Sequence, residues 1–224
     1  MALYIVSTPI GNLDDITLRA IDTLKKADII ACEDTRHSQI LLNKYEIKKP
    51  LLSYHSHSGQ TKLEKLIAAL EQGDEIALIS DAGTPGISDP AYTLIKAALE
   101  QGIEVIPVPG ASAFLTALVA SGLPMNQFVY LGFLPIKKGR QTLLKSLANE
   151  DKTVVFYESP HRIQKTLTQL EEFLGPERKI AIGRELTKMH EELLRGTIKE
   201  VKDVFADRKP KGEFTVVLGG KSVV

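Results

Sequence analysis

Leu78-Ile79-Ser80-Asp81-Ala82-Gly83-Thr84-Pro85-Gly86-Ile87-Ser88-Asp89-Pro90 is the stretch whose reading decides the fold. It enters as an apolar run suited to a strand covered on both faces. It then becomes a loop of small residues and leaves through Asp89-Pro90, an N-cap followed by proline at a first helical position. Ala82, Gly83 and Gly86 let backbone approach a bound molecule, because little side chain stands in the way. In an open α/β sheet, the loop leaving the carboxyl end of a strand is where ligands sit. The stretch therefore predicts a ligand loop in an α/β protein.

The same rhythm extends outward on both sides. Strands are predicted at 3–7, 28–32, 51–54, 75–80 and 104–108, and helices at 16–27, 35–44, 60–72, 91–101 and 111–121. Asp34 and Asp89 serve as caps, and Gly73, Gly102 and Gly122 as helix stops. Strict strand–helix alternation implies parallel pairing through crossover helices. Gly122-Leu123-Pro124-Met125-Asn126 breaks the pattern, which predicts an N-terminal α/β domain over 1–122 and a second over 127–224. In the second, strands are expected at 128–133, 153–157, 180–184 and 213–218. Helices are expected at 139–147, 160–173 (Ser159 as cap, Pro160 first) and 198–205.

Charge follows the same division. The 224 residues carry 28 basic and 28 acidic side chains, but residues 1–127 hold 10 against 15 and residues 128–224 hold 18 against 13. A basic second half suits an acidic ligand or nucleic acid there, although solvated helix faces produce such an imbalance too. No run of 18 apolar residues exists to span a membrane. Met1-Ala2-Leu3-Tyr4-Ile5-Val6 reads as a first strand, not a signal peptide. The lone Cys32 cannot form an internal disulfide and suits a reducing, cytoplasmic setting.

Three loops are expected at one sheet edge: Thr8-Pro9-Ile10-Gly11-Asn12, the 81–89 segment, and Pro109-Gly110-Ala111-Ser112-Ala113. All are rich in small residues and predict a ligand held largely by backbone groups. No G-x-G-x-x-G follows the first strand, and Gly219-Gly220-Lys221-Ser222 lacks the upstream glycine of a P-loop. The ligand is expected to be neither a dinucleotide nor ATP held in the usual way.

Ser7-Thr8-Pro9-Ile10-Gly11-Asn12-Leu13, Glu33-Asp34-Thr35-Arg36, the 80–90 loop and Pro109-Gly110-Ala111-Ser112 resemble segments of the tetrapyrrole-methylase superfamily. Tyr130-Leu131-Gly132-Phe133-Leu134-Pro135, Phe156-Tyr157-Glu158-Ser159-Pro160-His161-Arg162 and Gly183-Arg184-Glu185-Leu186-Thr187-Lys188 are similar to its branch acting on small-subunit ribosomal RNA. The resemblance implies two α/β domains with S-adenosylmethionine in the cleft between them. It further implies 2′-O-methylation of a cytidine in 16S rRNA, on naked RNA or the small ribosomal subunit, by a cytoplasmic homodimer. That branch usually continues with a short helical extension past its last strand, and any RNA contact made there lies beyond Val224. A same-fold enzyme acting on a small tetrapyrrole and a non-catalytic S-adenosylmethionine-binding module are the competing readings.

Carried over position by position, the resemblance assigns the cofactor to Pro9, Asp81, Gly83, Thr84, Ile87, Ala111, Ser112 and Ala113, with Leu131 and Gly132 from the second domain. A ribose hydroxyl is a poor nucleophile at neutral pH, so a positioned base would help it. Asp34, Glu158, Glu185 and His161 are the candidates. Glu158 would alternatively pair with Arg162 at i+4. Arg36, His37, His161 and Arg184 suit phosphate or ribose contacts, with arginine offering forked donors. Lys137, Lys138 and Arg140, with Lys145, and the Arg208-Lys209-Pro210-Lys211 run are basic clusters suited to phosphates. Tyr54, Phe133 and Tyr157 are candidates for stacking on a base or for pocket wall. His55-x-His57 and Cys32 lack the spacing of further metal ligands, so no metal is expected.

Overall fold

The computed structural model describes residues 1–55, 59–89, 91–206 and 208–223, and the chain divides into two compact units, Met1–Ser112 and Ala113–Val224. The expected boundary at Gly122 lies one helix downstream of this division. That helix packs on the second sheet, so its contacts place it in the second unit.

The first unit is a five-stranded sheet of β1 (Ala2–Val6), β2 (Ile29–Cys32), β3 (Leu51–Ser53), β4 (Ile76–Ile79) and β5 (Glu104–Val108). Its order is β3-β2-β4-β1-β5, and each pairing is parallel, as with Leu3 opposite Ile76 and Val105. The helices are α1 (Leu18–Lys26), α2 (Thr35–Lys44), α3 (Gln60–Glu71) and α4 (Ala91–Glu100). Thr17 caps α1 by accepting the Ala20 N–H, and Asp34 caps α2 by accepting the Arg36 N–H. Each cap satisfies a donor that the helix start leaves unpaired. Ala20, Leu24 and Leu42 from α1 and α2 pack with Val6, Ile30 and Ile79 on one face. Leu66, Leu70, Leu94 and Ala98 from α3 and α4 pack with Leu3, Ile5, Ile76 and Leu78 on the other. Alternate strand residues thus serve opposite cores, which is why β4 is apolar throughout.

The second unit holds α5 (Ala113–Ala120), β6 (Phe128–Phe133), α6 (Arg140–Ser146), β7 (Thr153–Glu158), α7 (Ile163–Leu174), β8 (Lys179–Arg184), β9 (Glu192–Thr197), α8 (Ile198–Val204) and β10 (Phe214–Leu218). Its sheet order is β6-β7-β10-β8-β9, with β6–β7 parallel and the other pairs antiparallel. Leu144, Ile163, Leu167, Leu170, Ile198 and Val201 cover one face over Phe156, Ile182, Phe214 and Val216.

Two expectations need correction here. Glu192-Leu193-Leu194-Arg195-Gly196-Thr197 is an edge strand that the sequence pattern misses, because only one face needs covering and Glu, Arg and Gly interrupt it. Helix α7 starts at Ile163, with Arg162 as cap. Ser159–Arg162 forms a turn closed by the Ser159 carbonyl, so Pro160 precedes the helix.

Candidate active site

From β1 the chain crosses to β2 on the face of α1, and from β4 it crosses to β5 on the face of α4. β1 and β4 are neighbours, so their exits diverge onto opposite faces and open the carboxyl edge between them. All three small-residue loops leave at that edge. Thr8 and Gly83 exchange backbone hydrogen bonds at 2.9 and 3.1 Å, and the Thr8 hydroxyl donates to the Ser80 carbonyl at 3.1 Å. Ser7 Oγ and Thr84 Oγ1 lie 2.8 Å apart, and Thr84 Oγ1 also donates to the Ala111 carbonyl at 3.3 Å. Gly83 sits at φ +82°, where a side chain is strained. A Cβ on Gly110 would stand 2.8 Å from that of Ser7, so the β1 and β5 exits touch backbone to backbone. The three loops form one hydrogen-bonded cradle.

The residues expected to hold the cofactor are placed as follows. Pro9 and Gly83 are buried, Asp81, Thr84, Ala111 and Ser112 are half-buried, and Ile87 is 36% exposed. Ala113 opens α5 and so belongs to the second unit. Asp81 Oδ1 accepts the Asp34 N–H at 3.0 Å, tying the β2 exit to the cradle. Asp89 accepts from the Gly86 and Ala91 N–H groups and so closes the loop onto α4, while Pro90 lies outside the described residues. Ser7 and Glu33 are the members sequence reasoning missed. Burial pushes the Glu33 carboxyl up, and Asp81 and Asp89 add to the shift. Their signal was position alone, directly after β1 and β2.

Asp34 accepts from Arg36 Nη2 at 2.8 Å and from the Arg36 N–H at 2.8 Å. Those bonds hold its carboxyl far below the usual range, which weakens it as a base. Arg36 and His37 are exposed on the first turn of α2.

In the second unit, β6, β7 and β8 end where β9 and β10 begin, since Phe214 faces both Glu158 and Arg184, and Arg184 faces Glu192. This edge gathers the remaining expected residues. Leu131 and Gly132 form a bulge in β6, two residues against one between Tyr130 and Phe133. Tyr157 is half-buried with its ring 5.6 Å from that of Tyr130 at 75°. Burial, with Tyr130 beside it, pushes its phenol well above the ordinary value. Tyr54 is 5% exposed and belongs to the first core, so it is not placed to stack on a base.

Glu158 is fully enclosed. Oε1 accepts from the Ser159 N–H (2.8 Å) and Arg162 Nε (2.8 Å), and Oε2 accepts from the Thr166 hydroxyl (2.7 Å) with Arg140 Nη2 at 3.6 Å. Arg140 is equally buried and donates to Gln169, the Pro135 carbonyl and Thr166. The expectations of Glu158 as a base and Arg140 as a phosphate contact do not fit this geometry. Neither group faces solvent, and each is saturated by the other's network. His161, Lys137 and Lys138 are exposed.

Glu185 lies in a turn with Glu185 at φ 49° and Thr187 at φ 66°, a left-handed pair that non-glycine residues rarely adopt. Its Oε1 accepts from the Glu213 N–H (2.9 Å) and Lys188 Nζ (3.1 Å). A Cβ on Gly212 would lie 2.4 Å from Glu185 Cγ, so only glycine leaves room for this side chain. Burial works to raise the Glu185 carboxyl, but the Glu213 N–H and the Lys188 ammonium outweigh it and leave it below its ordinary 4.5. The stabilisation is therefore fully present above pH 4.5 and is lost as pH falls through the lowered value. Lys188→Met is expected to flatten the acid limb of a melting-temperature profile below pH 4.5, as differential scanning at stepped pH would show. Arg184 donates to the Lys211 carbonyl (2.7 Å) and pairs with Glu192 (3.4 Å).

Among the described residues no group of three or more His, Cys, Asp or Glu is arranged to hold a metal, and His57 lies outside them. No helix among them is long and apolar enough to cross a membrane.

Comparison with known proteins agrees with this arrangement. The family described as Tetrapyrrole (Corrin/Porphyrin) Methylases matches residues 2–202. Ribosomal RNA small subunit methyltransferase I of Synechocystis is 52% identical over 219 residues, covering 97% of this chain and 78% of the relative. The protein of that name from Thermotoga maritima is 48% identical, covering 98% of both. Uroporphyrin-III C-methyltransferase from Thermus thermophilus, solved with S-adenosyl homocysteine, shares the fold with a TM-score of 0.66. It is 19% identical, over 99% of this chain and 98% of that one. Sequence, strand order and the placement of the motif loops thus lead to one conclusion: the chain belongs to the tetrapyrrole (corrin/porphyrin) methylase family, in the branch of the ribosomal RNA small subunit methyltransferase I proteins.

Proposed function

We propose that the chain transfers a methyl group from S-adenosylmethionine to the ribose 2′-oxygen of a cytidine in 16S rRNA. The observation that carries this reading is identity near one half, over nearly the whole chain, to proteins named as ribosomal RNA small subunit methyltransferases. The cradle at the β1/β4 switch point fits the cofactor. It offers backbone groups, the Ser7 and Thr84 hydroxyls and the Asp81 carboxylate on loops built largely of small residues. S-adenosylmethionine supplies an activated methyl group on a sulfonium.

The chain's own residues bind and orient. Asp81 is positioned to accept from ribose hydroxyls, and the loop backbones to fix the remaining polar groups. Asp34 and Glu185 are both held below the usual carboxylate range, and Glu158 is enclosed. None of the three is therefore suited to pull a proton from a ribose hydroxyl. Alignment of the 2′-oxygen with the methyl carries most of the rate.

The test is transfer from radiolabelled S-adenosylmethionine to small ribosomal subunits from cells lacking this activity, with nuclease mapping of the product. Label in a 2′-O-methylcytidine is the expected result. Label elsewhere, or only in a small tetrapyrrole, would overturn the proposal. A wild-type pH–rate profile without an acidic limb assignable to Asp34 or Glu185 is the accompanying expectation.

A further inference from the structure

The edge shared by the ends of β6, β7 and β8 and the start of β10 carries more charge than its own carboxylates balance. Glu158 is matched by Arg140 and Arg162, Glu185 and Glu213 by Lys188, and Glu192 by Arg184 and Arg208. Lys137, Lys138, Lys209 and Lys211 are exposed, and none has an ion pair among the described residues. At the same edge Phe133 stands 57% exposed at the end of β6, its ring 5.5 Å from that of Tyr157. Ile136 beside it is 73% exposed. β6 and β10 are separated by one strand, so the end of β6 and the start of β10 lie about 10 Å apart along this edge.

The backbone carrying the ring is fixed from below. Arg162 Nη1 donates to the Leu134 carbonyl and Arg140 Nη1 to the Pro135 carbonyl, both at 3.1 Å. These are the two carbonyls between Phe133 and Ile136. Both arginines are anchored on the enclosed Glu158 carboxylate. An exposed aromatic ring on a rigid support, with unpaired ammonium groups at the same sheet edge, has the chemistry of a single-stranded nucleic-acid site. The ring stacks on a base and the cations follow the backbone. A duplex offers that ring no unstacked base, and its recognition would rest on phosphates alone.

We propose that this edge is the track for a single-stranded RNA segment, with Phe133 stacking on a base and Lys137, Lys138, Lys209 and Lys211 taking the phosphates beside it. The inference rests on the RNA-methyltransferase reading and deepens it by naming the form of RNA and the residues that hold it.

The test is fluorescence anisotropy of the full chain with a labelled single-stranded oligoribonucleotide of mixed sequence, and with a duplex of equal length. Phe133→Ala is expected to weaken single-strand binding by roughly 5- to 150-fold and leave duplex binding unchanged. Lys137→Ala/Lys138→Ala is expected to lower the slope of log affinity against log salt by about 1.4, at about 0.7 per phosphate on a single strand. Lys65→Ala, on exposed α3 surface, should match the wild type. These side chains are exposed, so thermal melts should stay near wild type and separate binding loss from unfolding. On ribosomal subunits, Phe133→Ala should raise KM and spare kcat. Equal affinity of the variants for the single strand, or equal wild-type affinity for the duplex, overturns the inference. Failure of the wild type to methylate subunits would instead remove the functional reading beneath it.

Discussion

Glu158→Ala is expected to destabilise the second unit by about 3–5 kcal/mol, the cost of breaking a buried ion pair from one side. For a chain of this size that lowers the melting temperature on the order of 10 °C. The reason lies in what remains. Arg140 has 6% of its side chain exposed, and burial pulls its guanidinium below the ordinary value while Glu158 opposes that pull. Without the carboxylate, Arg140 faces Arg162 with no counter-charge, and the Thr166 hydroxyl loses its acceptor. Adding Arg140→Met to the variant should recover part of the loss, because an apolar side chain of similar length leaves no buried charge behind. Thermal denaturation of the single and double variants measures this directly. A Glu158→Ala protein that melts with the wild type yet transfers no methyl group would show a chemical role for Glu158 instead.

Gly110→Ala is expected to weaken cofactor binding measurably and to slow methyl transfer about 100-fold, the scale on which a displacement near 1 Å disturbs the alignment of reacting groups. The backbone of Gly110 is not in the left-handed region, so the effect is one of space alone. The new methyl would lie 2.8 Å from Ser7 Cβ and 3.4 Å from the Ser7 carbonyl oxygen. Ser7 cannot retreat without giving up its backbone bond to the Val108 carbonyl and its contact with Thr84. The strain therefore passes into all three loops of the cradle. Titration calorimetry with S-adenosylmethionine is the measurement, and Gly59→Ala, where an added Cβ meets nothing within 4 Å, is the control expected to behave as wild type. Undiminished affinity in Gly110→Ala would remove the β1 and β5 exits from the cofactor site.

Elements whose stability is written locally were legible in the sequence. The predicted span 35–44 coincides with α2 because Asp34 caps its own neighbours, and β4 follows from an apolar run that needs cover on both faces. The parallel sheet of the first unit followed from strand–helix alternation, and its three loops from glycine, proline and hydroxyl residues at strand exits. The β9 edge strand was missed because a half-covered strand tolerates the charged residues that disguise it.

The roles of charged side chains were decided elsewhere. Arg140 reads as one more basic residue after Lys137 and Lys138, yet it is buried while they are exposed. Glu158, Arg162, Thr166 and Gln169 meet it only when α6 and α7 pack beside the end of β7. By itself the sequence determined the strand–helix alternation of the first unit, the Asp34 cap of α2 and the chemistry of the loops, since these rest on contacts within a few residues. Only the tertiary structure decided which carboxylates are enclosed and which lysines face outward, because a charge's solvation depends on neighbours distant in the chain.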